Sequence, residues 1–458
     1  MIKLKRITIL MVALVFAINS WAQETTQKVG ENPEELTNQY GKVVKRTPLD
    51  AEAQNGILVF QSENQEFKYW FDTRVYFDAM MPLGESLNPI GNGVDIRRAR
   101  FAIKAQMWKN WYGEFDIDVA GAIVEMKDMI IRYDGNNWNI KAGHFKEGFS
   151  METTTTSRYV TFIERSLASK LAPSRHLGLQ GNYWGQHFLA IAGIHFRAVG
   201  EYEENEWAQD ANKDNGIDDG YSYTGRFVYM PIQETGKVVH IGIAASYRTP
   251  KTSEEITDSY RYSTRSFTSI NRKKYLDTDD ITNVESSLLL GAELAGSWNQ
   301  FMFQGQYMMN KITREDGLEN ATIGGGYAQV GWLLFGGTYV YNNKEGEFTQ
   351  VNRGQDWGDI ELAVRYDYMN ANDFDADIFG GAANGLTVGV NYHVNDNVKF
   401  MLNYSYINHD RYANGKGKLY IYEDADGNLY KDPFSVDIPK GEGGDDFSIL
   451  TARIEIDF

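Results

Sequence analysis

Residues 94–119 read VDIRRARFAIKAQMWKNWYGEFDIDV. Ala99, Phe101, Ile103, Ala105 and Met107 alternate with Arg98, Arg100, Lys104 and Gln106. After Lys109-Asn110 the alternation resumes, with Phe115, Ile117 and Val119 against Glu114, Asp116 and Asp118. A period of two places successive side chains on opposite faces of an extended strand, so each segment has one dry face and one wet face. The dipeptide between them is short enough to be a turn.

The same alternation continues on both sides. Phe67, Tyr69, Phe71, Val75 and Phe77 alternate with Lys68, Asp72, Arg74 and Asp78; near the end, Leu450, Ala452, Ile454, Ile456 and Phe458 alternate with Thr451, Arg453, Glu455 and Asp457. Sixteen such segments are expected: 67–79, 94–108, 111–119, 125–133, 137–144, 176–184, 187–197, 220–230, 236–248, 284–297, 300–311, 323–335, 357–369, 385–394, 397–408 and 446–458. Short gaps alternate with long ones at 80–93, 145–175, 198–219, 249–283, 370–384 and 409–445, the pattern of an outer-membrane barrel with turns on one rim and loops on the other. Two gaps fit poorly. The gap 120–124 is too short for the loop rim, and 336–356 is too long for the turn rim, leaving 337–341 as an unplaced strand fragment. A water-soluble sandwich also alternates. Its strands are usually five or six residues, whereas these run to about 9–15, long enough to cross a bilayer when tilted. Trp108, Trp111, Trp138, Tyr183, Trp184 and Trp298 crowd the segment ends, as interfacial girdles do. The expected fold class is all-β, a 16-stranded antiparallel transmembrane β-barrel with long extracellular loops.

Composition is consistent with this. The 458 residues hold no cysteine, which removes disulfides, thiolate zinc sites and cysteine nucleophiles. Lys and Arg number 45 against 62 Asp and Glu, a formal charge of −17 that argues against a nucleic-acid partner. A mean hydropathy of −0.45 excludes helical spans only, because barrel strands place half their residues in water. Lys3, Lys5 and Arg6, an apolar run over 7–18, and Asn19-Ser20-Trp21-Ala22 before Gln23 together read as a cleaved secretory leader. The expected organisation is a signal peptide over 1–22, a polar periplasmic lead-in over 23–66 and a barrel over 67–458.

Asp95-Ile96-Arg97-Arg98-Ala99-Arg100-Phe101 followed by residues 113–121 (GEFDIDVAG) resembles the opening strands of the phosphate-selective porin O and P family. So does Lys141-Ala142-Gly143-His144-Phe145-Lys146, running into Phe149-Ser150-Met151-Glu152. Residues 161–167 (TFIERSL), then Ala172-Pro173-Ser174-Arg175 and Gly178, are similar to that family's third loop and next strand. Residues 326–334, 357–366 and 388–404 resemble its carboxy-terminal half, and Phe458 resembles the assembly signal common to outer-membrane barrels. Gly148 stands where the family usually has proline, and Phe335-Gly336-Gly337 replaces a Thr-Gly-Glu type ending. The resemblance implies a homotrimeric porin in the bacterial outer membrane, with the third loop folded into the pore and small anions such as phosphate diffusing past basic residues.

Energetics select those residues. An arginine on the lipid face at midplane costs about 2–4 kcal/mol, so strand parity turns Arg98, Arg100 and Lys104 into the lumen. Asp95 and Arg97 share the lipid parity near a strand end, where the penalty falls to about 0–1 kcal/mol. Arg132 and Lys141 line water by the same rule, and the third loop adds Lys146, Arg158, Arg165, Lys170 and Arg175. Confined cations focus the field and concentrate anions. Against this, Glu114, Asp116, Asp118 and Asp128 face the same lumen, and neutralisation between segments 94–108 and 111–119 is the default. A weakly selective porin and a surface receptor or adhesin therefore remain open readings.

No enzyme, cofactor or metal site is expected. The chain lacks Gly-x-Ser-x-Gly, His-Glu-x-x-His and Walker motifs, and its seven histidines are scattered. Asp210-x-Asn212-x-Asp214 and Asp424-x-Asp426-Gly427-Asn428 resemble calcium loops, but the first has its glycine one place late and no closing glutamate. The expected partners are small anionic solutes, outer-membrane lipid and further copies of the chain.

Overall fold

Alternating sequence becomes alternating exposure along each strand. In the computed structural model, which describes residues 35–200, 202–216, 219–250, 258–439 and 441–458, Phe71, Val75 and Phe77 are exposed while Asp72, Arg74, Tyr76 and Asp78 are buried. The leader expected over 1–22 lies outside the described residues. The chain divides into two units, 1–50 and 51–458. The first contributes a small antiparallel pair, Glu35–Thr37 with Val43–Lys45.

The second unit is a closed antiparallel barrel. Its first half comprises β1 Phe67–Leu83, β2 Gly93–Met107, β3 Trp111–Asp118, β4 Glu125–Asp134, β5 Trp138–Lys146, β6 Arg175–Trp184, β7 Phe188–His195 and β8 Ser222–Glu234. The second half comprises β9 Lys237–Arg248, β10 Val284–Trp298, β11 Phe301–Arg314, β12 Ala321–Leu333, β13 Asp359–Asp373, β14 Ile378–His393, β15 Val398–His409 and β16 Phe447–Asp457. β16 pairs with β1 from Ser448↔Leu83 to Asp457↔Arg74, which leaves no free edge between the first and last strands. Phe458 and Thr73 exchange backbone hydrogen bonds of 2.9 and 2.7 Å at this seam.

All sixteen expected segments are strands. The largest difference is at β13 and β14, which extend to Asp373 and back to Ile378, shrinking the expected long gap 370–384 to 374–377. Residues 380–384 are GGAAN, with too little apolar contrast to register as alternation. Within the expected lead-in, Ile57–Gln61 pairs with the start of β1 through Val59↔Trp70. Four apolar residues there were too few to set a period.

The outer face carries the apolar residues. Trp108, Trp111, Trp138, Trp298, Phe301, Trp332 and Trp357 are exposed along the short-turn rim, several in ring contact, such as Trp111 with Tyr133 at 5.1 Å. Trp184 does not belong to this girdle. Its neighbour Tyr183 points out, so Trp184 points in and packs with Leu189, Ile191, Val228 and Met230. Arg97 also departs from its expected lipid-facing parity. A bulge between Tyr76↔Arg98 and Phe77↔Ile96 inserts Arg97 as an extra residue and re-aims it inward.

Among the described residues, inward folds from both rims furnish the lumen. The third loop, 147–174, enters from the long-loop rim; the hairpin Ser263–Arg265/Lys274–Asp277 of loop 249–283 follows it. Phe149, Leu167, Ala168 and Leu171 of the former pack with Phe267, Tyr275 and Leu276 of the latter and with wall residues such as Met308 and Met369. From the opposite rim comes segment 334–358. It was too long for a turn because it is not one: it holds the pair Tyr341–Asn342/Glu347–Phe348 and folds into the barrel.

Candidate functional site in the lumen

The third loop leaves β5 at Glu147, which is fully buried. Its carboxylate accepts from Thr224 Oγ1 at 2.6 Å and Arg248 at 2.9 Å, with His176 Nδ1 at 2.7 Å. This fixes the root. Helix α1, Met151–Thr154, follows, capped by the Ser150 hydroxyl, which accepts from Thr153 N and donates to Gln306 Oε1 at 3.0 Å. The loop then crosses to the far wall. Asn391 Nδ2 donates to Thr161 O at 2.8 Å, Ile163 N donates to Asn403 Oδ1 at 3.0 Å, and Leu167 N donates to Asp367 Oδ1 at 3.1 Å. A backbone that deep in a barrel needs partners for its polar groups, and the wall asparagines and aspartate supply them.

The ten expected pore cations fall into two groups. Five are ion-paired. Arg100 lies 3.1 Å from Asp116, 3.8 Å from Asp118 and 3.9 Å from Asp128. Lys104 bridges Asp72 at 2.7 Å and Glu114 at 3.4 Å. Arg132 pairs two-pronged with Asp134, at 2.8 and 3.0 Å. Arg158 pairs with Asp72 and, at 3.2 Å, with Asp457; Arg175 pairs with Asp128 at 2.6 Å. The expected neutralisation between β2 and β3 is therefore present. Glu114, Asp116 and Asp128 bring their carboxylates within 4.8 Å of one another, but Arg100, Lys104 and Arg175 are interleaved as counter-charges.

The other five have no carboxylate within ion-pair distance among the described residues: Arg98, Lys141, Lys146, Arg165 and Lys170. Arg98 is half-buried, and its Nε is buried with no hydrogen-bond partner. Lys141 Nζ lies 4.5 Å from the centre of the Phe145 ring. Lys146 Nζ donates only to carbonyls, Thr154 O at 3.2 Å and Thr155 O at 3.1 Å. Arg165 likewise donates to Glu152 O at 2.9 Å and Thr155 O at 2.6 Å. Two cations thus converge on one neutral oxygen, where the third loop turns inside the barrel. Carbonyls orient them without cancelling their charge. Lys170 is exposed.

Three further groups complete the site. Arg97 binds Glu164 of the third loop at 2.7 and 3.2 Å. Burial pushes the Glu164 carboxyl up, but Arg97 outweighs it and holds the group well below the usual range. Segment 334–358 is pinned by Arg226, which binds Glu293 at 3.0 and 2.8 Å and donates to Glu345 O at 3.1 Å and Gly346 O at 2.8 Å. Gly346 has φ +67, and a Cβ there would meet Leu189 at 2.9 Å, so glycine suits this tip. Tyr341 Oη lies 2.6 Å from His240 Nδ1, and Tyr339 Oη donates to Glu361 at 2.8 Å. The length of 336–356 was the one sequence signal for this fold.

Neither calcium-like motif forms a cation cradle. Residues 210–214 lie in helix α2, Tyr202–Asn215, with Lys213 2.6 Å from Asp210 and 3.6 Å from Asp214. The Asp424 carboxylate is occupied by Asn428 N at 2.8 Å, Tyr430 Oη at 2.9 Å and Asp426 N at 3.0 Å.

A closed sixteen-stranded barrel with an apolar outer band, aromatic girdle and polar, loop-narrowed lumen defines an outer-membrane porin. The chain belongs to the phosphate-selective porin O and P family, whose model matches residues 71–427, and it is a channel protein of the bacterial outer membrane. It is 25% identical to Porin O of Pseudomonas aeruginosa over 369 residues, covering 74% of this chain and 81% of that one. It is 23% identical to an uncharacterized protein of Caulobacter vibrioides over 329 residues, 70% of this chain but 64% of the relative's length. Among solved structures, an anion-selective porin from Comamonas acidovorans matches in fold with a TM-score of 0.51 at 11% identity, covering 86% of this chain and 100% of that one. The trimer form of OmpT from Vibrio cholerae matches with a TM-score of 0.50 at 10% identity, covering 86% and 99%.

Proposed function

We propose that this porin passes small anions, oxyanions such as phosphate among them, by diffusion past Arg98, Lys146 and Arg165, with Lys141 and Lys170 on the approach. The observation that carries this is charge without compensation. Lys146 and Arg165 converge on Thr155 O, while the cations around them are cancelled by carboxylates. Guanidinium and ammonium groups held by neutral carbonyls keep a positive field, which low-dielectric walls focus along the passage. The phosphate-selective description of the matching family and the solved structure titled an anion-selective porin support the same reading.

A weakly selective passage is the second reading, favoured by how completely Arg100, Lys104, Arg132, Arg158 and Arg175 are paired. We further propose a homotrimer, as the trimer form of OmpT suggests. The leader over 1–22 and a periplasmic lead-in over 23–66 complete the proposed organisation. Addition of the purified protein to a planar bilayer is expected to give stepwise chloride conductance that falls as phosphate is titrated in. Steps that phosphate leaves unchanged would favour the weakly selective channel; absence of steps would favour a receptor.

A further inference from the structure

Two cavities meet where the third loop and segment 334–358 face each other inside the barrel. The first lies between these segments and the wall of β13–β16, and Arg158 and Arg165 of the third loop and Lys399 of β15 line it. It holds about 70 Å³, room for only a few water molecules. The second holds about 720 Å³ and lies at the short-turn rim, lined by Asn352, Arg353 and Asp356. Tyr159, Thr349, Gln350, Val351 and Asp396 line both, so the narrow space beside Arg165 runs into a wide mouth through a neck of these residues. The neck is neutral. Tyr159, Thr349, Gln350 and Val351 carry no charge, and Asp396 is paired with Arg353 at 3.2 Å. Gln350 is held at both ends of its amide: Nε2 donates to Asp396 O at 2.6 Å, and Oε1 accepts from Asn55 Nδ2 at 3.2 Å. Asn55 is at the tip of a hairpin over residues 51–61, whose second strand pairs with β1. That hairpin is tied down in turn, as Asn397 Nδ2 donates to Asn55 O at 3.1 Å and Lys68 Nζ to Gln54 Oε1 at 2.9 Å. The hairpin, the turn between β14 and β15 and segment 334–358 thus converge on one glutamine side chain.

We propose that this neck is the size filter of the channel and that Gln350 is its specificity-determining residue, limiting how large a solute can leave the lumen toward the short-turn rim. The proposal goes beyond the anion reading and rests on the channel alone, since a steric limit holds for whichever ion passes. Selection by diameter needs a rim that does not yield. An amide bonded at both ends supplies one, whereas a free side chain would swing aside. A neck without uncompensated charge also releases an ion that the cations above it have attracted, because conduction requires binding weak enough to leave. The hairpin over 51–61, which has no period in the sequence, becomes part of the outlet by bracing Gln350.

The chain holds no cysteine, so Gln350→Cys gives the full-length porin a single thiol. A neutral methanethiosulfonate reagent, added to an open Gln350→Cys channel in a planar bilayer, is expected to cut its conductance in steps, and a reductant to restore it. The channel already conducts when the reagent arrives, so misfolding cannot mimic this result. Gln350→Ala is expected to raise the gluconate-to-chloride permeability ratio several-fold, while the zero-current potential in a potassium chloride gradient keeps its sign. Asn55→Ala, at an exposed site outside the barrel wall, moves the ratio the same way by less. A Gln350→Cys channel whose conductance the reagent leaves unchanged overturns the proposal, as does a Gln350→Ala channel that keeps the wild-type ratio. A wild type with a potential of the sign set by potassium contradicts the anion reading instead, and thiol labelling then still decides whether the neck lies on the passage.

Discussion

At the scale of single residues, lumen cations do two different jobs, and their partners tell which. Arg100 braces the wall. Its removal strands Asp116, which is buried at 3% exposure and has no other cation within ion-pair distance among the described residues. Breaking a buried pair from one side costs about 3–5 kcal/mol, so Arg100→Ala is expected to lower the urea midpoint of folding strongly. Arg165 is proposed to act on solute. Arg165→Ala loses two hydrogen bonds from a charged donor to carbonyls, each worth about 1.5–3 kcal/mol, and it is also expected to reduce anion preference several-fold, measured as the permeability ratio. Equal losses of stability with no change in selectivity would mean that Arg165 is only a brace. Strand parity placed Arg100 in the lumen and the third-loop resemblance placed Arg165 there, but neither could separate their roles. The carboxylates that quench Arg100 sit one strand away and were visible; the Thr155 carbonyl that holds Arg165 depends on how the loop turns. Arg97 was misplaced for a related reason, since one bulged residue reverses parity.

At the scale of elements, strands were more legible than the segments between them. Alternation over ten residues is a long signal, and all sixteen strands followed from it. Loops obey no period, so the inward course of 334–358 showed only as an excess of length. Arg226 is the clasp of that segment, fully buried and bonded to it twice. Arg226→Met paired with Glu293→Leu removes the clasp without leaving a lone buried charge, so the barrel is expected to fold while the hairpin is released. Single-channel conductance should rise, and limited proteolysis should cut within 341–348. An unchanged conductance would mean that this hairpin does not narrow the passage. At the seam, Phe458 exchanges both backbone bonds with Thr73 while its ring faces outward, 55% exposed. Deleting Phe458 removes that closure, and the yield of folded barrel in detergent is expected to fall; an undiminished yield would locate the closing step elsewhere along β16 and β1.

At the scale of the whole molecule, a hydrophilic average and a membrane location agree because the apolar half faces lipid and the polar half lines the lumen. A formal charge of −17 says little about what passes through, since lumen acids such as Asp116 and Asp128 are paired and many others lie in loops. Closure by sixteen strands predicts a barrel that stays folded in cold detergent and shifts its electrophoretic mobility on boiling; no shift would argue against a closed barrel. The proposed anion preference comes from unpaired cations at the turn of the third loop. The zero-current potential across a bilayer holding the purified porin, under a salt gradient at neutral pH, tests it most directly. The expected potential has the sign set by chloride and moves toward zero in the Lys146→Ala/Arg165→Ala double variant. A potential of the sign set by potassium in the wild type would contradict it.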